Sequence, residues 1–484
     1  MGQPERRELL FDSSLLDTPS VSGGWWLRPQ QRQSYTGVSY LPGDIQPGHL
    51  YVQPSALSWG RGYDKDRESL QRVKQRGARA VVLDAIPAEV PEGLSVYLAP
   101  DTSLALAQLG QAARALASHP LVCVTGTVGK STTKRGLAIL LARCGRTHES
   151  QRNFNHYHGV TLTLADTPKD TEFSVLEFSS DLPRYTLPKA LIAAPDVAVI
   201  TEIQYDHTDC YPTLEAIADQ KSLLFRGLKP EGTAVLNRDS PYFARMHAAA
   251  RSYGAARVLT FGCSPLADVA LQDCSRQRSG WQVRARCLDQ SLTYTLPLPG
   301  RHDVRNSLAM LAGVVALGQD PNRCLAAFSA LQPLPRHCAL EHLAVQGGEV
   351  RLIDDSFSSN PASLRAALET LALQAEGSPG RRLLVLGAID ELGERSDALH
   401  ASLADLILLH RIDRVYAYGS HTRHTCAALP DHLVALHTTE ARELTQVLMA
   451  DLQPDDWLVL KFSRHSRLGE LLGQALRTGA TTQA

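Results

Sequence analysis

Short apolar runs separated by stretches of helical spacing dominate the chain from its first quarter to its end. Runs at 174–177, 197–201 and 233–237 are apolar on both faces of an extended strand, and a helical stretch at 213–225 lies between the last two. Strands that are apolar throughout, joined by helices, predict a buried parallel sheet with crossover connections. The alternation begins again at 350–354, 382–387, 414–419 and 457–461, and its spacing suits a doubly wound, Rossmann-like sheet. Upstream, turns at Pro42-Gly43-Asp44 and Pro47-Gly48 precede an apolar run at 50–52, and a helical stretch precedes another at 78–83. The pattern predicts an α/β protein of three domains: a small α/β domain over 1–115, a central parallel-sheet domain over 116–334 and a Rossmann-like domain over 335–484. Gly377-Ser-Pro-Gly380 reads as a loop and Thr478 onward as a frayed tail.

Length agrees, since 484 residues exceed what one ordinary core holds. The 49 basic and 50 acidic residues leave a net charge of -1, which gives no electrostatic case for nucleic acid or an anionic membrane surface. No apolar segment of signal-peptide kind follows Met1-Gly-Gln-Pro-Glu-Arg-Arg, and the apolar run at 403–409 is short and broken by Asp405. Nine cysteines, none in a C-x-x-C pair, suit reduced thiols and a cytoplasmic location better than a disulfide framework or a zinc site. A monomer is the default.

The chemistry concentrates first at Gly126-Thr127-Val128-Gly129-Lys130-Ser131-Thr132, where a strand turns through glycines into a helix. Backbone N–H groups and the Lys130 ammonium there would face a phosphate, and the Ser131 hydroxyl would face Mg²⁺. The central domain therefore reads as a P-loop ATPase domain, against the alternative of a chance glycine turn before a helix. The common P-loop has a glycine where this chain has Val124. Glu177 ends a strand beside the loop, as a hard oxygen ligand or a surface glutamate. His207 follows the next strand, and Lys221 lies among apolar helix neighbours, either snorkelling to the surface or buried as a reactive amine.

Thr125-Gly-Thr-Val-Gly-Lys-Ser131 resembles the P-loop of the Mur ligases, which form amide bonds at the expense of ATP. Further matches keep the family's order. The segment from Gly300 to Ala309, with Asn306, is similar to Gly-x-His-Asn-x-x-Asn-x-Leu-Ala. Asp354-Asp355-Ser356-Phe357 with Asn360-Pro361 resembles a signature of the MurF branch, which joins D-Ala-D-Ala to a UDP-linked muramyl tripeptide. Gly387 with Glu391-Leu392-Gly393, His400, and Lys461-Phe-Ser463-Arg464 are similar to later elements of that branch.

The resemblance implies an N-terminal substrate domain, a C-terminal ligase domain, and an acyl-phosphate reaction between a small-molecule carboxylate and an amine. Thr127, Gly129, Lys130, Ser131 and Thr132 would hold the phosphates of ATP, Asn306 the adenine, Arg336 a phosphate and Asp355 the ribose. One Mg²⁺ would sit on Ser131 and Glu177, and a second on His207 and Lys221 carbamylated by CO₂. Lys130, His207, Lys221 and Arg336 would be catalytic, and the third domain would close as a lid.

The departures concern substrate more than ATP. Leu41, Pro42 and Gly43 stand where the MurF branch carries an Asp-Ser-Arg triplet for the UDP-sugar. His156 replaces an asparagine, Thr161 a proline, Ser179 a glycine, Asp303 an asparagine, Ala388 an aspartate and Phe462 a glycine. His156 and His158 are either new substrate contacts or solvated loop residues. The expectation is a MurF-like ligase recruited to another carboxylate donor, with the cell-wall ligase as the alternative. A phosphotransferase and an inactive binding homologue are the readings from other classes.

Overall fold

The computed structural model describes residues 8–17, 23–27, 33–54, 69–180, 183–345, 347–464 and 466–478. The expectations for the extreme N-terminus and for the tail beyond Thr478 lie outside them. The described residues form three sheets in chain order, of five, nine and six strands. Among them no helix is long and apolar enough to cross a membrane.

The first sheet runs Trp25–Trp26, Ser95–Leu98, Ala80–Leu83, His49–Val52, Gly37–Ser39, parallel except at Trp25–Trp26. The central sheet is parallel from Thr147–Glu149 through Phe173–Glu177, Leu121–Thr125, Val197–Ile200 and Thr233–Asn237 to Arg257–Gly262. Its strands alternate between two cores. Val122 and Val124 pack with the helix Lys130–Leu141, while Leu121 and Cys123 pack on the opposite face with Phe178 and Phe225. Burial on both faces is why these strands read as continuous apolar runs.

The sheet then departs from the expected alternation. Val269–Gln277, Gly280–Cys287 and Gln290–Leu296 form an antiparallel meander that extends it. Trp281, Val283, Ala285 and Cys287 are buried, with polar residues between them. That period-two pattern belongs to a sheet with one wet face.

The third sheet runs Ala339–Val345, Gly348–Asp355, Trp457–Lys461, Arg382–Gly387, Arg414–Tyr418, Val434–Thr438, with only the first pair antiparallel. Trp457–Lys461, last in sequence, is inserted between Gly348–Asp355 and Arg382–Gly387. In the central sheet, Leu121–Thr125 likewise separates Phe173–Glu177 from Val197–Ile200. The carboxyl ends of such strands, where the order of connection reverses, are where open α/β sheets bind ligands.

Close helix packing positions the central site. The helices Lys130–Leu141 and Arg301–Ala316 meet at Gly136, where a Cβ would collide with Met310. The approach carries Asn306, one turn before Met310, onto Gly129 at the start of the P-loop helix.

Candidate active site

Gly129 caps the helix Lys130–Leu141 with φ +80°, a left-handed conformation that suits glycine. The loop before it is held from the next strand. Thr127 N donates to Glu202 O at 2.7 Å, Thr127 Oγ1 donates to Gln204 O at 3.0 Å, and Thr201 Oγ1 donates to Val128 O at 2.6 Å. Lys130 Nζ donates to Thr127 O at 2.8 Å. These bonds leave Ser131 and Thr132 half-exposed at the helix start.

The loop opens on a cleft of about 770 Å³ between the central and third sheets. The cleft brings together most of the residues singled out by sequence: Thr127, Gly129, Lys130, Ser131, Thr132, Glu177, His207, Asn306 and Asp355 all line it. His156 and Ser179 line it too, with Ser179 Oγ 3.1 Å from His156 Nδ1. His158 is buried away from it, with Nε2 2.7 Å from Ser103 Oγ.

Glu177 is 1% exposed. Its Oε1 accepts from Asn155 Nδ2 at 2.7 Å, and its Oε2 has no hydrogen-bond partner among the described residues. A buried carboxylate oxygen left in that condition is costly unless a ligand satisfies it. Asn155, which also lines the cleft, carries no local sequence signal that singles it out.

His207 has φ +51°, and its Nδ1 lies 2.7 Å from Glu391 Oε2 of the third sheet's loop. Burial pulls its pKa down, but the Glu391 hydrogen bond and the Asp206 and Glu391 charges outweigh burial and raise it overall. The Lys221 charge also acts on His207, in the lowering direction. Lys221 itself stands behind the cleft wall, 2% exposed, its Nζ donating to Ser180 Oγ. It is a buried amine and not a snorkelling one.

Across the cleft, Lys461 is fully buried and donates to Asp355 Oδ2 at 2.7 Å and to Ser358 O at 2.5 Å. Cys338 N donates to Asp355 Oδ1 at 3.1 Å. His337, unremarked in the sequence, lines the cleft stacked on Phe357 at 4.4 Å, and burial lowers its pKa. His400 is buried as a structural group: its Nε2 accepts from Ile389 N at 3.0 Å, fixing the loop that carries Asp390 and Glu391. Ser463 Oγ donates to Ala388 O and accepts from Asp390 N, both at 3.1 Å. Burial raises the pKa of Asp303, whose Oδ2 accepts from Gly300 N at 3.1 Å at the start of the helix that carries Asn306.

Arg336, like Lys221, stands apart from the other sequence-derived residues. It does not line the cleft. Its guanidinium donates to Ser356 Oγ at 3.0 Å, to Ser356 O at 2.6 Å and to Glu470 Oε2 at 3.3 Å. The site as built can clamp a polyphosphate at a helix N-terminus, offer a buried carboxylate to a hard cation, and hold a second reactant between two sheet edges.

Comparison with known proteins agrees with this geometry. Residues 124–314 match the Mur ligase middle domain, and residues 340–464 match the Mur ligase glutamate ligase domain. The UDP-N-acetylmuramoyl-tripeptide–D-alanyl-D-alanine ligase of Bacillus subtilis (strain 168) is 29% identical over 406 residues, 83% of this chain and 86% of that protein. The ligase of the same name from Escherichia coli (strain K12) is 28% identical over 442 residues, 90% of this chain and 92% of that protein. Among solved structures, MurF from Acinetobacter baumannii superposes with a TM-score of 0.81 at 22% identity, covering 97% of this chain and 99% of that one. MurF from Thermotoga maritima in complex with ADP gives 0.72 at 22% identity, covering 92% and 98%.

Proposed function

Since the chain belongs to the Mur ligase family and is an ATP-dependent ligase, we propose that it couples D-alanyl-D-alanine to the carboxylate of a UDP-linked muramyl tripeptide through an acyl phosphate. The names of the relatives support this donor, and they run along more than four-fifths of the chain. They lend no support to the recruited donor expected from the changes at residues 41–43.

The observation that carries the reaction type is the Glu177 carboxylate, buried in the P-loop cleft with an unsatisfied oxygen. With the Ser131 hydroxyl it makes a donor set that fits Mg²⁺, which supplies charge neutralisation for the phosphates. Residues 127–132 would cradle the β- and γ-phosphates, and Lys130 would leave Thr127 O for the migrating phosphoryl group. Asn306, held against the loop, would meet the adenine side of the nucleotide, and Asp355, braced by Lys461, the ribose. His207 and a carbamylated Lys221 would be the second ligand pair. A histidine that donates one ring N–H to a carboxylate keeps the other nitrogen for a metal, and the Glu391 bond would supply that arrangement. Arg336 stays outside this set because Ser356 and Glu470 hold it. Residues 1–115 would bind the donor, 116–334 ATP, and 335–484 would close over both.

The substrate carboxylate attacks the γ-phosphorus, ADP leaves, and the amine of the acceptor then displaces phosphate from the acyl carbon. Water would destroy the acyl phosphate, so closure over the cleft is part of the chemistry. Hydroxylamine in place of the amine tests it: a hydroxamate of the donor, formed only with Mg-ATP, is expected. A phosphorylated donor that persists and never yields an amide would replace this reading with a phosphotransferase.

One observation favours a different donor. Leu41 caps the short helical turn Pro42–Asp44, whose Pro42 carbonyl is taken by Arg76, and Asp44 Oδ1 is 2.9 Å from Arg152 Nη2. The turn offers a UDP-sugar no charged group from residues 41–43. Turnover of a tripeptide donor lacking UDP as fast as the UDP-linked one would establish this second reading.

A further inference from the structure

Behind the cleft wall, four buried side chains form a directional chain of hydrogen bonds. Lys221 Nζ donates to Ser180 Oγ, Ser180 Oγ donates to Gln220 Oε1 at 3.2 Å, and Gln220 Nε2 donates to Thr186 Oγ1 at 3.0 Å. Only Ser180 of the four lines the cleft. A serine hydroxyl has one proton and two lone pairs. Ser180 commits its proton to Gln220, whose amide is oriented by Thr186, so what it presents to Lys221 is a lone pair. Such a partner accepts an N–H equally well from an amine and from a carbamate, and never competes for the nitrogen's electrons.

We propose that Ser180, oriented by Gln220 and Thr186, is a positioning residue that holds one Nζ–H of Lys221 so that CO₂ adds on the cleft side. The inference rests on the reading of Lys221 as carbamylated. The ammonium first gives a proton to water. The nitrogen lone pair then forms the N–C bond with CO₂, a C=O electron pair moves onto oxygen, and a second proton leaves to water. One N–H remains, donated to Ser180. A carbamate is planar, so holding that N–H sets the plane and turns both oxygens towards the cleft and His207.

The test uses the full-length enzyme, ¹³C-labelled bicarbonate and ¹³C NMR, alongside the bicarbonate dependence of turnover. Wild type is expected to show a carbamate resonance that is absent in Lys221→Ala. Ser180→Ala should raise the bicarbonate concentration for half-maximal carbamate about tenfold, the loss of one hydrogen bond to a buried group. Ser180→Thr should recover most of it, and Thr186→Val should shift it in the same direction by less. Should Ser180→Ala fail to fold, the Thr186→Val and Ser180→Thr titrations carry the test, and unchanged occupancy in Thr186→Val would overturn the relay. No resonance in wild type would overturn the carbamate reading and this inference with it. A wild-type resonance with unchanged occupancy in Ser180→Ala would overturn the positioning role alone.

Discussion

His207 Nδ1 and Glu391 Oε2 are 2.7 Å apart, joining the loop after Val197–Ile200 to the loop after Arg382–Gly387. Both residues adopt positive φ, +51° and +60°. Non-glycine residues are strained there and persist only where surrounding structure holds them. Asp209 N reinforces the contact by donating to Glu391 O at 3.4 Å. The bond therefore joins the two halves of the cleft through Nδ1 of His207.

Glu391→Ala is expected to lower kcat about 10- to 100-fold, the usual cost of removing the partner that orients a ligating histidine. ATP affinity should change little, because the bonds that hold the P-loop come from Thr201, Glu202 and Gln204. Steady-state kinetics with calorimetric ATP binding checks this. An unchanged kcat would mean the contact serves only to dock the two halves.

Lys130→Ala should reduce turnover by at least about 10²-fold, since it removes a preorganised charge from the developing transition state. The protein should remain folded, because Lys130 is half-exposed and, among the described residues, its side chain bonds only Thr127 O in its own loop. Single-turnover phosphate release reads the effect.

Gly129→Ala should weaken ATP binding strongly with little loss of the rest of the fold. The added Cβ would strike Asn306 Oδ1, and φ +80° disfavours any side chain. Isothermal titration against Gly136→Ala makes the comparison. That change strikes Met310 deeper in the helix pair, so it should cost stability more than affinity.

Acid should destabilise the protein partly through His119. Burial first, and then the Arg114 charge, lower its pKa from 6.5 to about 4, with Nε2 2.8 Å from Ser174 Oγ. The unfolded chain then binds a proton that the folded chain refuses, so this contribution is present above 6.5 and is lost as pH falls towards 4. Urea midpoints at neutral pH and near pH 5 should differ less in His119→Gln than in wild type. An identical difference would assign the acid sensitivity elsewhere.

Much of the nucleotide side of the site was legible because its information is local. The run Gly126 to Thr132 needs only a strand, a turn and a helix start to place its groups. Asn306 was legible as a motif, but its place beside Gly129 depends on a helix crossing allowed by Gly136. The Glu391 contact to His207 joins residues far apart in sequence, and no local pattern announces such a pair. Lys221 was readable as either surface or core, because a lone lysine in an apolar helix fits both; the Ser180 contact decides it. Arg336 followed its motif in sequence, yet Ser356 and Glu470 set where its guanidinium points. The meander from Val269 to Leu296 carries a plain period-two signal at Trp281, Val283, Ala285 and Cys287, obscured by the expectation that parallel alternation would continue.

The most direct measurement is the mass of the product formed from Mg-ATP, UDP-muramyl tripeptide and D-Ala-D-Ala. The account predicts the UDP-linked pentapeptide, with one ADP and one phosphate for each amide formed. No pentapeptide, from protein that binds Mg-ATP with Lys130 and Glu177 intact, would contradict the proposed donor and acceptor.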